Sequence, residues 1–176
     1  MKPPEYRDRI RIAGTEITLR TLRPEDRAIE EAFVRGLSPT SRYLRFHSAL
    51  PALTPEMAER FLNLDYPDQM ALIATIPDGD GERQIAVARW ARPQGEAAAD
   101  LGIAVADDWQ GKGLGTALLQ RLLRVAAEAG IDQIAANVLH ENHRMRALAR
   151  DLGFRLAPHQ DDPHTLLLIR AARDDG

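Results

Sequence analysis

The sequence predicts an α/β (α+β) fold in which helices flank a central mixed sheet. Near the middle of the chain, residues 70–76 and 84–92 have strand-like composition, and the Pro-Asp-Gly-Asp-Gly segment between them favours a hairpin turn. Farther on, a strand-like segment at residues 100–105 precedes an amphipathic helix at residues 113–129, and a short strand follows at residues 134–139. This second arrangement is a βαβ unit, which joins parallel strands. We therefore expect a mostly antiparallel sheet with one parallel pair at its centre.

The first half of the chain is expected to supply one strand and three helices. Residues 17–22 alternate apolar with polar side chains, which predicts the first strand. A helix follows at residues 24–37, because its apolar residues are spaced to share one face. A serine followed by proline opens a second helix at residues 38–46, and a threonine followed by proline opens a third at residues 54–64.

The last third of the chain is expected to end the sheet with an antiparallel pair. A helix at residues 142–152 is closed by Gly153, a common residue at helix ends. Residues 154–156 and 165–171 then form two strands that pair with each other. Residues 173–176 are mostly charged and are expected to fray.

Composition and charge exclude several classes of protein. With 176 residues, of which 44% are hydrophobic and 28% charged, the chain is expected to form a single domain over residues 1–176. The net charge of -3 gives no global positive field, so neither nucleic acid nor a membrane surface is an expected partner. Residues 1–14 are too charged for a signal peptide. Cysteine is absent, which excludes disulfides and thiolate metal sites and favours the cytoplasm.

Residues 109–116, Trp-Gln-Gly-Lys-Gly-Leu-Gly-Thr, are the most informative stretch of the chain. They follow a strand and open the long helix, and a helix N-terminus offers unpaired N–H groups and the positive end of the helix dipole. The three glycines let a phosphate approach the main chain, so the loop predicts an anion site. The alternative is a glycine-rich turn that connects the strand to the helix and binds no ligand. The glycine spacing fits neither the Walker-type phosphate loop nor the dinucleotide-binding fingerprint.

Several motifs together resemble those of the GNAT superfamily of acyl-CoA-dependent N-acyltransferases, and the resemblance covers essentially the whole chain. These motifs are Gln110 with Gly113 and Gly115 after a strand, Asn142 before a helix, and Leu-Gly-Phe at residues 152–154. More narrowly, residues 19–26, 41–46 and 141–145 are similar to the acetyltransferase domain of bacterial Pat-type protein lysine acetyltransferases. The resemblance implies a GNAT-like sheet whose central parallel strands splay apart, acetyl-CoA as co-substrate, and no metal cofactor.

The resemblance also implies where acetyl-CoA binds. Main-chain N–H groups of the glycine-rich loop would hold the pyrophosphate, and the preceding strand would pair its backbone with the pantetheine arm. The residues expected to bind the co-substrate are Ile103, Ala104, Val105, Gln110, Gly111, Lys112, Gly113, Leu114, Gly115, Thr116 and Asn142. Core packing for Ile103 and Val105, and helix N-capping for Asn142, are the structural alternatives.

An amine must lose a proton before it attacks a thioester, because a lysine side chain with a pKa of roughly 10.4 is protonated at neutral pH. Pat-type sequences carry a glutamate base on the strand before the loop, and the matching position here is Asp100. The resemblance therefore implies that Asp100 is the catalytic base; the alternative is a solvated aspartate at a strand edge. Many family members protonate the leaving thiolate with a tyrosine, which Ala149 replaces in this sequence.

The acceptor is less well defined by the sequence. The resemblance to Pat implies a protein lysine, such as one in an acyl-CoA synthetase, as the acceptor. The protein itself is expected to be a monomer or a homodimer. A small amine acceptor and a non-catalytic acyl-CoA sensor are the alternatives. Arg42, Arg45 and Phe46 either line the acceptor groove or serve the structure, and the structural role is favoured. His140 and His143 are too closely spaced for the zinc-protease pattern, so no metal site is expected.

Overall fold

The structure is a computed structural model that describes residues 1–173. The strands are β1 (Arg7–Ile12), β2 (Thr15–Thr21), β3 (Gln69–Asp78), β4 (Gly81–Ala91), β5 (Ala98–Val105), β6 (Gln133–Leu139), β7 (Arg155–Pro158) and β8 (Thr165–Ala171). The helices are α1 (Arg27–Gly36), α2 (Pro39–Phe46), α3 (Pro55–Leu62), α4 (Leu114–Glu128) and α5 (His143–Asp151). Of the residues 173–176 that are expected to fray, residues 174–176 lie outside the described part of the chain.

The strands of residues 1–173 form one sheet in the order β1-β2-β3-β4-β5-β6-β8-β7. Neighbouring strands are antiparallel except for β5 and β6, which are parallel. The predicted fold class, a mostly antiparallel mixed sheet flanked by helices, is therefore confirmed. The helix α4 lies in the crossover between the two parallel strands, as the βαβ pattern predicts.

The edge strand β1 was not predicted from the sequence. Its sequence Arg-Asp-Arg-Ile-Arg-Ile carries only two apolar residues, and Ile10 and Ile12 are only partly buried. The strand pairs with β2 from Arg7 opposite Arg20 to Ile12 opposite Thr15. A strand with one neighbour needs few apolar residues, and charged side chains are common on such edges. The hydrophobic pattern therefore gave no signal for it.

Helix starts follow the capping residues that the sequence contains. The hydroxyl of Ser38 accepts a hydrogen bond from the Ser41 N–H at the start of α2, and a proline occupies the first helical position. Thr54 does the same for Met57 at the start of α3. These side chains satisfy backbone donors that the first turn leaves without partners. The predicted helices are confirmed, although α3 ends at Leu62 rather than at residue 64.

The core lies on both sides of the central strands. Helix α4 packs on β3, β4 and β5 through buried leucines, and α1 packs on β4. Residues 84–90 of β4 are all buried, which is the pattern of a strand covered on both faces. Strand β5 pairs with this covered strand along residues 100–105, which fixes the position of its end beside the site.

The parallel pair separates shortly after it forms. Strands β5 and β6 are paired only at Ala98 with Gln133, Ala99 with Ile134 and Asp100 with Ala135. Beyond that point β5 stays paired with β4 to its end at Val105, and β6 stays paired with β8 to its end at Leu139. The predicted splayed pair is therefore confirmed. It leaves a gap between residues 101–105 and residues 136–139, with unpaired backbone along its sides.

Candidate active site

A cleft of about 750 Å³ lies where the parallel strands separate. Its walls come from α2, the end of β5, the glycine-rich loop with the start of α4, and α5. The following residues that the sequence analysis expected to bind the co-substrate line this cleft: Ile103, Ala104, Val105, Gln110, Gly111, Gly113, Gly115, Thr116 and Asn142. Segments that are far apart in the chain thus meet around a single space.

The glycine-rich loop needs its glycines for backbone conformation. Gly111 and Gly113 have φ values of 73° and 88°, in the left-handed region, and a Cβ at either position would meet no atom within 4 Å. Conformation and not crowding therefore requires glycine at these positions. Gly113 is the N-cap of α4 and carries no side chain that could cap it. The first N–H groups of α4 thus lack side-chain partners and lie at the positive end of the helix dipole, beside the cleft.

The side chain of Gln110 joins three walls of the cleft. Its Nε2 donates to the carbonyl oxygen of Val105 at 2.9 Å and to the Ser41 hydroxyl at 3.1 Å. Its Oε1 accepts a hydrogen bond of 2.8 Å from the Nη1 of Arg144 on α5. Gln110 therefore links β5, α2 and α5. The sequence pattern located Gln110 at the site but did not indicate its contacts with Ser41 and Arg144, because these residues are close to it only in space.

The backbone of β5 presents hydrogen-bonding groups to the gap. The N–H of Ala106 donates to the carbonyl oxygen of Ile85 at 2.8 Å, and bonded pairs recur at every second residue of an antiparallel ladder. Ala104 is therefore bonded to Val87 of β4, whereas the N–H and C=O of Ile103 point away from β4. The carbonyl of Val105 points the same way and accepts from Gln110. Ile103 thus offers free backbone groups on the gap side.

Two residues of the loop have side chains away from the cleft. Leu114 is only 1% exposed and belongs to the core, so its side chain is not available to a ligand. The Nζ of Lys112 lies 5.0 Å from the centroid of the Trp109 ring, within the range of a cation–π contact. Neither residue lines the cleft. Any contribution of Leu114 to ligand binding is therefore limited to its main chain.

Asp100 occupies the last paired position before β5 and β6 separate. Its side chain does not line the cleft and makes no hydrogen bond within residues 1–173. Partial burial raises the pKa of its carboxyl group, and the negative charge of Glu96 raises it further. Asp100 lies directly opposite Ala91 and shares a face of the sheet with Gly102 and Ala104, because side chains alternate along a strand.

Helix α2 is tied to the loop that precedes α4. The carboxylate of Asp107 accepts from the Ser38 N–H and from the Ser41 hydroxyl, both at 3.0 Å. Burial works against the charged form of Asp107, but these two hydrogen bonds outweigh it and lower the pKa of the carboxyl group. An ionised carboxylate therefore fixes the start of α2 against the cleft.

The structure separates the roles of Arg42, Arg45 and Phe46. Arg42 donates from Nη1 to the carbonyl oxygens of Arg35 and Leu37, and Phe46 stacks on Phe61 with 6.4 Å between ring centroids. The favoured structural role therefore fits these two residues. Arg45, in contrast, lines the cleft.

Helix α5 forms the opposite wall. Its N-cap is Asn142, whose Oδ1 accepts from the Met145 N–H at 3.2 Å. The capping role of Asn142 is therefore present, and its contact with a co-substrate stays a prediction. Ala149, at the position where many family members carry a tyrosine, is 0% exposed and offers no proton donor.

Within residues 1–173, no helix is both long and apolar enough to cross a bilayer. In the same part of the chain, no three histidine, cysteine, aspartate or glutamate residues are grouped so that they could hold a metal ion.

Comparison with known proteins identifies the family. The family model described as Acetyltransferase (GNAT) domain matches residues 16–155. Acetyltransferase PA5475 of Pseudomonas aeruginosa is 32% identical over 160 residues, which are 90% of this chain and 85% of that protein. Acetyltransferase Pat of Mycolicibacterium smegmatis is 32% identical over 117 residues, which are 66% of this chain but only 34% of Pat.

Solved structures agree with the sequence relatives. The crystal structure of the GNAT domain of S. lividans PAT matches with a TM-score of 0.85 and 27% identity, covering 94% of this chain and 96% of that one. Mycobacterium smegmatis RimJ, solved in complex with CoA-disulfide, has the same fold, with a TM-score of 0.65 and 20% identity over 94% of this chain and 87% of that one. By sequence, fold and the splayed cleft together, the chain belongs to the GNAT family of acetyltransferases.

Proposed function

We propose that residues 1–176 act as one domain that transfers an acetyl group from acetyl-CoA to a primary amine, and that the amine is a protein lysine side chain. The observation that carries the proposal is the splayed cleft, which has an uncapped helix N-terminus at one end and unpaired strand backbone along one side. A pyrophosphate and an amide-containing arm are complementary to these two surfaces. We also assign the reaction to the cytoplasm and to a monomer or homodimer.

The donor would bind mainly to main-chain groups. The N–H groups at the start of α4 suit the pyrophosphate, because Gly113, Gly115 and Thr116 line the cleft there. The backbone N–H and C=O of Ile103 suit the amides of the pantetheine arm. RimJ, which shares the fold, was solved in complex with CoA-disulfide, and this supports a CoA derivative as the donor.

The transfer requires a base but not a covalent enzyme intermediate. In the proposed reaction a proton first passes from the ammonium group of the acceptor to the Asp100 carboxylate, directly or through water. The neutral amine nitrogen then bonds to the acyl carbon, and its excess proton is lost to water. The carbon–sulfur bond then breaks and CoA leaves as a thiolate. Because the pKa of Asp100 is raised, its carboxylate is a stronger base than an ordinary aspartate.

The leaving group needs no dedicated acid. A CoA thiol resembles a cysteine thiol with a pKa of roughly 8.5, so the thiolate is a fair leaving group. Solvent can return the proton to sulfur, which is consistent with the buried alanine at position 149. The same alanine favours the second candidate function, a module that binds acyl-CoA without catalysing a reaction.

Similarity to Pat supports a protein lysine acceptor. The GNAT domain of S. lividans PAT matches nearly the whole length of this chain, and M. smegmatis Pat is a sequence relative. Because this chain spans only about a third of M. smegmatis Pat, the partners and regulation of that longer protein are not transferred to it. A lysine of an acyl-CoA synthetase is our first choice of target, and a small amine is the alternative.

The proposal is tested by measuring release of free CoA thiol from acetyl-CoA in the presence of a panel of proteins and small amines. Mass spectrometry then identifies the acetylated acceptor. We expect steady, enzyme-dependent release with a lysine-containing protein and a mass increase on that lysine. Calorimetric binding of acetyl-CoA without turnover of any acceptor would favour the sensor, and absence of binding by folded protein would refute both candidates.

A further inference from the structure

Arg45 is a cleft-lining cation without a partner. It lies on α2 and makes no hydrogen bond or ion pair within residues 1–173. The neighbouring arginines are paired: Arg89 donates to Glu30 at 3.1 Å, and Arg144 donates to Gln110 at 2.8 Å. The guanidinium of Arg45 makes a cation–π contact with the ring of Phe46, with 4.9 Å from Cζ to the centroid. Several N–H donors of Arg45 are thus available to a bound molecule.

The position of Arg45 depends on a glycine in the strand beside it. A Cβ built on Gly102 would lie only 2.7 Å from the Cζ of Arg45, closer than real Cβ atoms approach other atoms. The guanidinium therefore rests against the main chain of β5, on the face of the sheet that Gly102 shares with Asp100 and Arg89. Any side chain at position 102 would displace it.

The charge of Arg45 is not neutralised by the protein. Glu30 is the nearby carboxylate, and it already accepts hydrogen bonds from Arg89 and Gln84. Arg45 and Arg89 thus both lie near Glu30, and only Arg89 is hydrogen-bonded to it. The pKa of Arg45 is lowered to about 10, mainly by burial and in part by the positive charge of Arg89, while the negative charge of Glu30 acts in the opposite direction. Arg45 is still protonated at neutral pH, so the cleft keeps an uncompensated positive charge.

We propose that Arg45 binds a carboxylate carried by the amine acceptor, close to the reacting nitrogen. This inference rests on the proposed function and makes its acceptor class more specific. Asp100 and Gly102 are alternate residues on one face of β5, so their Cα atoms are about 6.7 Å apart. An amine at Asp100 therefore places a carboxylate a few bonds away against the guanidinium over Gly102. Arginine pairs with carboxylates through two parallel hydrogen bonds, which gives orientation as well as affinity.

The acceptor is favoured over the acyl donor as the source of this carboxylate. The proposed donor surfaces are the start of α4 and the gap-side backbone of Ile103. Arg45 instead belongs to α2, on the sheet face that carries Asp100, the proposed acceptor base. Two acceptors offer the required chemistry: a free α-amino acid, and a protein lysine with an acidic side chain next to it.

The test compares matched acceptors that differ only in charge. One pair is an α-amino acid and its amide; the other is a lysine peptide with glutamate or glutamine beside the lysine. For each, kcat/KM is measured with the wild type and with Arg45→Met. Intrinsic differences in amine reactivity cancel in the ratio between the two enzymes. We expect Arg45→Met to reduce the preference for the carboxylate member of at least one pair about tenfold or more. The pair that responds identifies the source.

The control variant is Arg42→Met, on the same helix, whose arginine donates to main-chain carbonyls of the protein. It should lose stability but keep the wild-type preference. Arg45→Lys retains the positive charge without the two parallel N–H donors, so it should keep part of the preference for the carboxylate acceptor. Circular dichroism and acetyl-CoA affinity establish that each variant is folded.

Several outcomes would overturn the inference. One is an acid-to-amide ratio that is unchanged by Arg45→Met in both pairs. Another is an Arg45-dependent preference for succinyl-CoA over acetyl-CoA with a neutral amine, which would assign the carboxylate to the donor. If no acceptor is turned over, the proposed function fails separately. The same acceptor pairs are then compared by calorimetric binding in the presence of CoA, where an Arg45-dependent preference supports the inference and its absence overturns it.

Discussion

One side of the cleft is built mainly from backbone groups, and the other is built from charged side chains. The loop side comprises residues 103–105 and 110–116, and it offers mainly backbone N–H and C=O groups from one short stretch of chain. The α2 side comprises Arg45, which lines the cleft, together with Asp100 and Gly102 of β5, which lie next to the cleft without lining it; it offers side-chain charges from two segments that lie far apart in sequence. A site made of backbone depends on conformation, whereas a site made of charges depends on chemical identity. Substitutions that change backbone conformation should therefore affect the loop side, and substitutions that change side-chain charge should affect the α2 side.

The largest effect is expected from Asp100→Asn. The substitution keeps the shape of the side chain but removes the base, so kcat should fall about 10²- to 10⁴-fold. Acetyl-CoA affinity should stay the same, because the loop side is untouched. Steady-state kinetics and calorimetry measure the two quantities. Asp80→Asn, in the exposed β3–β4 turn, is the matched control. Full activity of Asp100→Asn would remove this residue from the mechanism.

Gly113→Ala should produce the next largest effect, and this effect should be on acetyl-CoA binding at the loop side of the cleft. An alanine at a φ of 88° costs about 1–2 kcal/mol, and relief of that strain distorts the loop. If the loop holds the pyrophosphate, acetyl-CoA affinity should fall about tenfold, since each 1.4 kcal/mol corresponds to that factor. Gly36→Ala is the control, because Gly36 lacks a positive φ and is not crowded. Equal acetyl-CoA affinity for both variants would contradict a conformational role for the loop.

Gln110→Ala tests whether the two sides are mechanically joined. The variant removes the hydrogen bonds to Val105, Ser41 and Arg144, and the free energy of unfolding should fall by about 1–2 kcal/mol. Chemical denaturation measures it. Met replacement of Arg144 removes only one of these bonds and should cost less. A larger loss for the Arg144 variant would show that Gln110 is not the central link.

The smallest effect concerns pH. Asp100 must be ionised to accept a proton, so activity falls as the pH drops through its pKa, and a raised pKa moves that acid limb upward. Glu96→Gln removes the negative charge that contributes to the raised pKa. The acid limb of kcat/KM against pH should therefore move to lower pH, while its plateau is unchanged. A limb that stays in place would mean that a group other than Asp100 controls it.

The sequence was informative about the loop side for a physical reason. Its geometry depends on glycines at fixed spacing between a strand and a helix, and all of these features are contiguous in the chain. The α/β class and the parallel pair followed from the same local patterns. The separation of that pair was implied by the family resemblance, and the register of β5 and β6 confirmed it.

The α2 side could not be predicted in the same way. Arg45 belongs to a segment whose composition favoured a structural role, and only the packing over Gly102 and the occupation of Glu30 by other partners set it apart. Gly102 itself gave no indication of the arginine above it. The edge strand β1 was missed for a related reason, since its pairing with β2 depends on a partner and not on its own hydrophobic pattern.

The two borders of the sheet affect how molecules of this protein meet. One border is β1, in which four of six residues are charged, and the other is β7, which has four residues and ends in Pro158. Repulsion between like charges and a missing N–H donor both hinder the addition of a strand from another molecule. Self-association through continuous intermolecular β-structure is therefore disfavoured at both borders. Copies of this chain that do associate should instead meet through helices or loops.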